Sequence, residues 1–138
     1  MILKAGTILV KNDKIALVYR DYYDDYSFPK GHVEKGESFI ECAIRETNEE
    51  TKREVLLARD SEIYIEYYND SKGNKCECHY YLAKDNGKSN NTSSEVHDLV
   101  WVDFDEVDNY LTYESLKKLW NNIKEKVKKY IDYEKENC

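Results

Sequence analysis

Two apolar segments near the start of the chain predict a β-hairpin. Residues 5–10 form a short apolar run, and residues 14–19 form a second one that contains Ile, Leu and Val. Between the two runs, Asn12 and Asp13 are residue types that favour turns. The pattern therefore predicts two antiparallel strands joined by a tight turn.

The middle of the chain predicts further strands. The apolar segments concerned are residues 54–57, 62–68, 76–83 and 99–102. Residues 69–74 are polar and rich in turn formers, so we expect a second hairpin at that point. Residues 85–94 are polar throughout and are expected to form a loop.

Apolar residues at helical spacing predict a helix that begins near Ser38. Ile40, Ala43, Ile44 and Thr47 recur with the period of one helix face, and we expect them to face the core. This helix lies between the two predicted hairpins.

The C-terminal third of the chain predicts a short helix over residues 104–110 and a long amphipathic helix from Glu114 onward. The apolar positions of the long helix are Leu116, Leu119, Trp120, Ile123, Val127, Tyr130 and Ile131. Strands and helices mix without a strict alternation, which favours an α/β fold around a mixed sheet. The length of 138 residues predicts a single domain over residues 1–138.

Charge narrows the possible partners of this domain. It has 28 acidic and 21 basic side chains, which give a formal charge of −7. Such a balance argues against long nucleic acids and anionic membranes as partners, because both are bound through a positive field. No apolar run approaches the roughly 18 residues that a membrane span requires, and Lys4 interrupts the apolar start, so no secretory signal is predicted. We expect a soluble cytoplasmic domain with reduced cysteines.

The strongest chemical signal is a set of three carboxylates within the first predicted helix. Glu46, Glu49 and Glu50 stand at positions i, i+3 and i+4, so they share one face. Like charges at these spacings repel each other unless something binds between them. A divalent cation would reverse that effect, since Mg²⁺ prefers hard oxygen ligands and bridges to phosphates. The competing interpretation is a solvated acidic face, because Glu is a good helix former.

Two further residues support the interpretation as a metal site. Gly31 precedes the helix in a tight loop, where its backbone carbonyl can approach a metal ion closely. Arg45 carries a planar fork of donors that suits it to orienting a neighbouring carboxylate.

In this spacing the sequence resembles the Nudix box of hydrolases that act on nucleoside diphosphate-linked compounds. The matching residues are Gly31, Glu37, Arg45, Glu46, Glu49 and Glu50. The resemblance implies an αβα sandwich with a loop–helix–loop metal site. It also implies that Glu46, Glu49, Glu50 and the Gly31 carbonyl bind Mg²⁺ or Mn²⁺. Arg45 would orient a glutamate, Glu37 would brace the loop, and Glu46 is the first choice for the catalytic base.

The chain departs from the box where the helix ends. The family continues with Gly and an aliphatic residue, whereas this chain has Lys52 and Arg53. A left-handed cap at a residue other than Gly costs about 1 kcal/mol. We therefore expect either that the helix runs on for another turn or that the following loop is reshaped.

A narrower resemblance, to the asymmetric diadenosine tetraphosphate hydrolases within the Nudix family, covers most of the chain. The segments that carry it are residues 28–34, 80–83, 94–95 and 101–102. It implies that Glu95 is a further metal ligand or the base, and that Tyr80 and Tyr113 stack on adenine. Lys30 and His32 would contact phosphate oxygens.

The resulting prediction is a metal-dependent hydrolase that cleaves diadenosine tetraphosphate asymmetrically to ATP and AMP, as a monomer or a homodimer. The alternatives within the family are an RNA 5′-pyrophosphohydrolase, an ADP-ribose pyrophosphatase and a nucleoside triphosphate pyrophosphatase. The first of these would bind an RNA 5′ end. Outside enzymology, the alternative is a module that binds nucleotides without turnover, for which Lys52 and Arg53 are the hint.

Overall fold

The computed structural model describes residues 1–89 and 98–137, and over these ranges it has one mixed sheet of seven strands. The strands are β1 (Ile2–Lys11), β2 (Lys14–Arg20), β3 (Asp25–Ser27), β4 (Lys30–His32), β5 (Arg53–Asn69), β6 (Lys75–Ser89) and β7 (Asp98–Asp103). The helices are α1 (Phe39–Thr51), α2 (Val107–Tyr110) and α3 (Glu114–Glu136), and a single 3-10 turn (Phe104–Glu106) precedes α2. The strand and helix order confirms the predicted α/β class.

Strand pairing places β1 at the centre of the sheet. The main order is β3-β2-β1-β6-β5, with β4 paired to β1 and β7 paired to β2. β1 and β6 run parallel, and every other pairing between the described strands is antiparallel. β4 pairs with one end of β1 and β2 pairs with the other end. Gly31, in the middle of β4, is therefore paired directly with the central strand.

The two faces of the sheet are covered by different helices. Alternate residues of β1 and β6, including Ile8 and Tyr80, pack with the apolar face of α3 in the largest core cluster. The intervening residues, including Ala5 and Tyr81, pack with Ala43 and its neighbours on α1. This arrangement is the αβα sandwich that the resemblance implied. Among the residues that the structure describes, none of the helices has the length and apolar character needed to cross a membrane.

The β5–β6 hairpin is longer than the hydrophobic pattern predicts. Residues 54–57 and 62–68 are expected to be separate strands, but they belong to one continuous strand. At the expected break, between Leu57 and Glu62, the pairing with β6 shifts in register. β6 continues to Ser89, so the prediction of a loop from residue 85 is wrong up to that point. Backbone pairing between the two strands extends both of them through polar residues, which apolar periodicity cannot detect.

Helix α1 begins where the sequence predicts it. The Ser38 side chain accepts a hydrogen bond from the Glu41 amide, and the Glu41 side chain accepts one from the Ser38 amide, which forms a capping box. Ala43 and Thr47 are buried as expected, but Ile40 is 45% exposed and Cys42 is buried instead. The buried stripe is thus rotated slightly from the predicted one at the first turn.

The C-terminal end of α1 keeps a left-handed cap although no glycine is present. Lys52 adopts φ 59° and ψ 28°, and its amide donates to the Asn48 carbonyl at 2.8 Å. The expectation of an additional helical turn is therefore wrong. Arg53 then starts β5 and forms a two-pronged ion pair with Asp85, both N···O distances being 2.7 Å. This pair gives Arg53 a structural role in place of the aliphatic residue of the family pattern.

The strained cap generates a prediction about stability. Replacing Lys52 with Gly removes the left-handed penalty of a side chain, so we expect Lys52→Gly to raise the free energy of unfolding by about 0.5–1 kcal/mol. The measurement is urea unfolding of the two proteins. Asn12→Gly is the matched control, because Asn12 also has a positive φ of 56° but Asn tolerates that region well. A loss of stability in Lys52→Gly would contradict the assignment of strain to this cap.

Candidate active site

Gly31 lies in strand β4, directly against helix α1, so the prediction of a tight loop at this position is wrong. Gly31 pairs with Ala5 of β1, and a Cβ atom at Gly31 would overlap the Glu46 carboxylate, so a larger residue here would displace that side chain. The Gly31 carbonyl accepts a hydrogen bond from the Cys42 thiol at 3.5 Å. Burial raises the pKa of Cys42 to about 12, which keeps that thiol protonated as a donor. The Gly31 carbonyl is therefore in direct contact with helix α1.

Arg45 connects the acidic residues of the site to each other. Its Nε and Nη2 atoms donate to the two carboxylate oxygens of Glu37 at 2.7 and 3.0 Å. Its Nη1 atom donates to Glu46 at 2.6 Å and to Glu49 at 3.2 Å, while Nη2 also donates to the His32 carbonyl at 2.9 Å. One guanidinium thus holds both the loop and the helix face.

Glu37 and Glu46 respond to this environment in opposite directions. Hydrogen bonds from Arg45 are the main reason that the pKa of Glu37 falls to about 2. Burial is the main reason that the pKa of Glu46 rises to about 7, and the charges of Glu49 and Glu50 add to that rise although Arg45 opposes it. Glu46 is therefore the carboxyl of this cluster that exchanges a proton near neutral pH.

Glu50 is anchored on the other side of the loop. Its Oε1 atom accepts a hydrogen bond from the Lys30 amide at 2.9 Å. Glu46, Glu49 and Glu50 consequently lie on the side of α1 that faces residues 30–32, as their spacing predicts.

Oxygen is the donor type that this cluster offers to a metal ion. Three carboxylates and the Gly31 carbonyl are hard ligands of the kind that Mg²⁺ takes, and the tight approach of Gly31 to Glu46 leaves no side chain between them. Within residues 1–89 and 98–137, no three His, Cys, Asp or Glu side chains converge in ligating geometry. The oxygen donors of the cluster are nevertheless of the chemical type that a divalent cation takes.

Lys30 and His32 lie in β4, with the backbone of each tied to this cluster. In the register with β1, Lys30 lies opposite Gly6 and His32 lies opposite Lys4, so both alternate with Gly31 and face the side away from α1. The charge of Lys4 and, more strongly, burial lower the pKa of His32. Neutral His32 and cationic Lys30 are therefore presented on the other face of β4.

Tyr80 does not occupy the position predicted for it. Its ring is completely buried and packs edge-on against Phe28, with ring centroids 5.9 Å apart. The Tyr80 hydroxyl makes no hydrogen bond of ordinary geometry with the residues that the structure describes. A ring covered on both faces cannot stack on a base, so the prediction that Tyr80 stacks on adenine is wrong for this structure.

Tyr113 is accessible, by contrast. It lies just before α3, its side chain is 44% exposed, and its hydroxyl donates to Asp25 at 2.5 Å. Glu95, the additional ligand or base implied by the resemblance, lies outside the described residues.

A family model for the NUDIX domain matches residues 2–128 of the chain. The chain belongs to the Nudix family. The match covers the strand with Gly31 and the helix that carries Glu46, Glu49 and Glu50. Nudix hydrolases generally use divalent metal ions.

Several relatives of this Nudix chain have names that describe their substrates. An 8-oxo-(d)GTP phosphatase of Mycolicibacterium smegmatis is 32% identical over 119 residues, which are 86% of this chain and 35% of that protein. A Caenorhabditis elegans asymmetrical bis(5′-nucleosyl)-tetraphosphatase is 38% identical over 72 residues, 50% of this chain and 51% of that protein. The chain thus spans only about a third to a half of the length of the curated relatives it matches.

Solved structures agree with the Nudix fold. The structure of a C. elegans Ap4A hydrolase binary complex has a TM-score of 0.78 with this chain, at 24% identity, and covers 92% of this chain and 98% of that one. A Nudix hydrolase from Nitrosomonas europaea has a TM-score of 0.69 at 20% identity, covering 88% of this chain and 86% of that one. These likenesses are evidence for a shared fold.

Sequence reasoning missed two residues beside the Nudix helix. Arg20 and Asp25 face each other across the β2–β3 pairing and form a two-pronged ion pair that also contacts Tyr113. The only available signal was that a basic and an acidic residue flank a short polar loop, at residues 21–24, and many surface hairpins share that pattern.

The raised pKa of Glu46 predicts how stability depends on pH in the presence of a chelator. Between its ordinary pKa and about 7, the folded protein holds a proton that the unfolded chain releases, so unfolding free energy falls as pH rises through this window. We expect Glu46→Gln to remove this fall, which amounts to about 1 kcal/mol for a half-buried carboxyl. Thermal unfolding from pH 5 to pH 8 measures it.

Glu37→Gln is the matched control for this experiment. Glu37 is ionised in both the folded and the unfolded state between pH 5 and pH 8, since its pKa is held at about 2. Its substitution therefore lowers stability by a constant amount across the range. Wild-type and Glu46→Gln curves that run parallel over the same range would contradict the assignment.

Proposed function

We propose that this Nudix hydrolase cleaves diadenosine tetraphosphate asymmetrically, giving ATP and AMP, with Mg²⁺ or Mn²⁺ as cofactor. The observation that carries the proposal is the crowding of Glu46, Glu49 and Glu50 on the side of α1 that meets Gly31. Such a set of charges is unfavourable by itself and becomes favourable with a cation and a polyphosphate.

The proposed metal ligands are Glu46, Glu49, Glu50 and the Gly31 carbonyl. A divalent cation bound there would lower the pKa of a coordinated water and offset negative charge on the phosphate oxygens. The formal charge of −7 is compatible with an anionic substrate on this basis, because the cation, and not the protein surface alone, neutralises the phosphates.

The chain's own residues then have separate tasks. Glu46 is the first candidate to accept a proton from the attacking water, because its carboxylate lies against Gly31 within the glutamate cluster. The water oxygen forms a bond to phosphorus, and the bond from phosphorus to the leaving nucleotide oxygen breaks. Arg45 keeps Glu46 and Glu49 in place, and its bonds to Glu37 fix the loop. Glu95 is the second candidate for the base.

Substrate identity has support from two sources. The subgroup segments of the sequence and the C. elegans tetraphosphatase both indicate a dinucleoside polyphosphate. In the structure, the Lys30 amide binds Glu50 while the Lys30 side chain lies on the other face of β4, and Tyr113 supplies an exposed ring beside β3. We assign Lys30 and His32 to phosphate oxygens and Tyr113 to a base.

A second candidate function is the hydrolysis of a nucleoside triphosphate at one of its phosphoanhydride bonds. It is favoured by the M. smegmatis relative, which matches a larger share of this chain than the C. elegans protein does. The same glutamate helix would serve either substrate, since both are cleaved at a phosphoanhydride.

Product analysis separates the two candidates. The purified protein is incubated with Mg²⁺ and, separately, with diadenosine tetraphosphate, 8-oxo-dGTP, ADP-ribose or triphosphorylated RNA, and the products are resolved by anion exchange. Equimolar ATP and AMP from the first substrate support the proposal. Preferential hydrolysis of 8-oxo-dGTP, with release of either phosphate or pyrophosphate, supports the second candidate, and cleavage of ADP-ribose or RNA alone overturns both.

Removing the Glu50 charge should abolish most turnover. Glu50→Gln keeps an oxygen that can accept from the Lys30 amide, so the loop is preserved, but the variant loses a charged metal ligand. We expect kcat to fall at least about a hundredfold, as for the loss of a group that holds the metal. Glu54→Gln, on β5 beyond the helix, is the matched control and should retain normal turnover. Near-normal activity of Glu50→Gln in Mg²⁺ would refute the metal assignment.

Metal binding can also be tested without turnover. A cation that binds only the folded protein raises its melting temperature by mass action. We expect millimolar Mg²⁺ to stabilise the wild-type protein by a few degrees and Glu50→Gln by much less. Equal shifts in the two proteins would show that Mg²⁺ binds elsewhere.

A further inference from the structure

A buried carboxylate joins β2, β3 and the start of α3. The Asp25 side chain has no exposed surface, and Arg20 holds it with two hydrogen bonds, from Nε at 2.9 Å and from Nη2 at 2.6 Å. The Tyr113 hydroxyl donates to the same carboxylate at 2.5 Å. Burial alone would raise the pKa of Asp25, but the bonds from Arg20 and Tyr113 hold it below its usual value. The carboxylate is therefore ionised and has strong donors from two sides.

The backbone next to Tyr113 is held by a hydrogen bond of the preceding residue, Thr112. The Thr112 hydroxyl accepts a hydrogen bond from the Tyr26 amide at 2.9 Å, next to Asp25 in β3. Tyr113 itself is the N-cap of α3 and makes no side-chain cap bond, so its hydroxyl is committed to Asp25. A tyrosine whose backbone and hydroxyl are both held has little freedom to turn its ring.

This arrangement lies close in the chain to the strand that meets the glutamate helix, because β3 ends at Ser27 and β4 begins at Lys30, whose amide donates to Glu50. The charge of Glu50 contributes to the raised pKa of Arg20, and the charge of Lys30 contributes to the lowered pKa of Asp25. Arg20 also lies over the ring of Tyr23, with its guanidinium carbon 4.3 Å from the ring centroid. The guanidinium is thus kept in place by a carboxylate and by an aromatic face.

We infer that Asp25, itself fixed by Arg20, is a positioning residue that holds the exposed Tyr113 ring in the orientation needed to stack on the base of a bound nucleotide. The inference rests on the proposed function, because it takes the site to bind a nucleotide. A ring that is already oriented loses less conformational freedom on binding than a mobile one, which is how the ion pair would strengthen affinity. The ion pair would therefore strengthen binding of the base and would leave binding of the phosphates unchanged.

Two ligands that differ only in the nucleoside test this inference. α,β-Methylene-ADP carries a base and resists cleavage, and methylene bisphosphonate has the same phosphate analogue without the nucleoside. Binding of each to the full chain in Mg²⁺ is measured by calorimetry for the wild type, Tyr113→Phe, Asp25→Asn and the double variant. Tyr113→Phe keeps the ring and removes only the hydroxyl that contacts Asp25.

We expect each single variant to bind α,β-methylene-ADP about fivefold more weakly. This loss is smaller than the free energy of one complete base-stacking contact, because the ring is still present and only its orientation is released. Binding of methylene bisphosphonate should stay unchanged. The double variant should be no weaker than Tyr113→Phe alone, because both changes remove the same interaction. In turnover assays the same variants should raise KM and leave kcat unchanged.

Asp85→Asn is the matched control for general effects on the fold. Asp85 forms a similar buried, two-pronged ion pair with Arg53, on strands β5 and β6. Its loss should lower thermal stability without changing the affinity for either ligand. If Asp85→Asn weakens nucleotide binding as much as Asp25→Asn does, the positioning role is overturned.

The remaining outcomes separate this inference from the proposed function. If Tyr113→Phe and Asp25→Asn bind α,β-methylene-ADP as tightly as the wild type does, the inference is overturned and the proposed function is left intact. Equal weakening of both ligands would indicate a general disturbance of the site and would also overturn it. Absence of binding of either ligand to the wild-type protein would overturn the proposed function, and the inference with it.

Discussion

Electrostatic repulsion among carboxylates, balanced by one guanidinium, is the constraint on which the site of this protein depends. Glu46 and Glu49 share the Nη1 atom of Arg45, and Glu37 occupies the rest of its fork. Because the single positive charge of Arg45 is shared among several glutamates, the cluster keeps an excess of negative charge. Together with burial, this excess raises the pKa of Glu46. An additional positive charge at this place is therefore favourable for the protein and for catalysis alike.

The fold is arranged so that this repulsion cannot be relieved by moving the helix away. Thr47 of α1 shares a hydrogen bond with Thr7 of β1 at 2.9 Å inside the core, and the capping box at Ser38 fixes the first turn. β4 is held to the other end of β1, which brings Gly31 against the glutamates. The central strand β1 thus positions both β4 and helix α1. The stability of the sheet therefore offsets the repulsion among the glutamates.

Much of this could be predicted from residue spacing, and the failures have definite physical causes. The start of α1 and its acidic face depend on residues that are three or four positions apart, so the sequence alone is enough to predict them. The resemblance places Tyr80 at the substrate, but alternation along a strand does not tell which face a distant helix covers, and α3 covers the face that carries Tyr80. The left-handed Lys52 shows that tertiary pairing, here of Arg53 with Asp85, can outweigh a local backbone preference. Arg20 and Asp25 were invisible because their partner Tyr113 is remote in sequence.

The parallel pairing of β1 with β6 has a consequence for how the protein assembles. Ile2 is paired with Cys76, so β1 meets its parallel partner 74 residues further along the chain. Contacts of such long sequence separation form slowly, because the intervening chain must be ordered first. Helix α1 lies between the two strands in the sequence and packs on both of them, so closure of the sheet, rather than formation of the acidic helix, sets when the site takes its final shape.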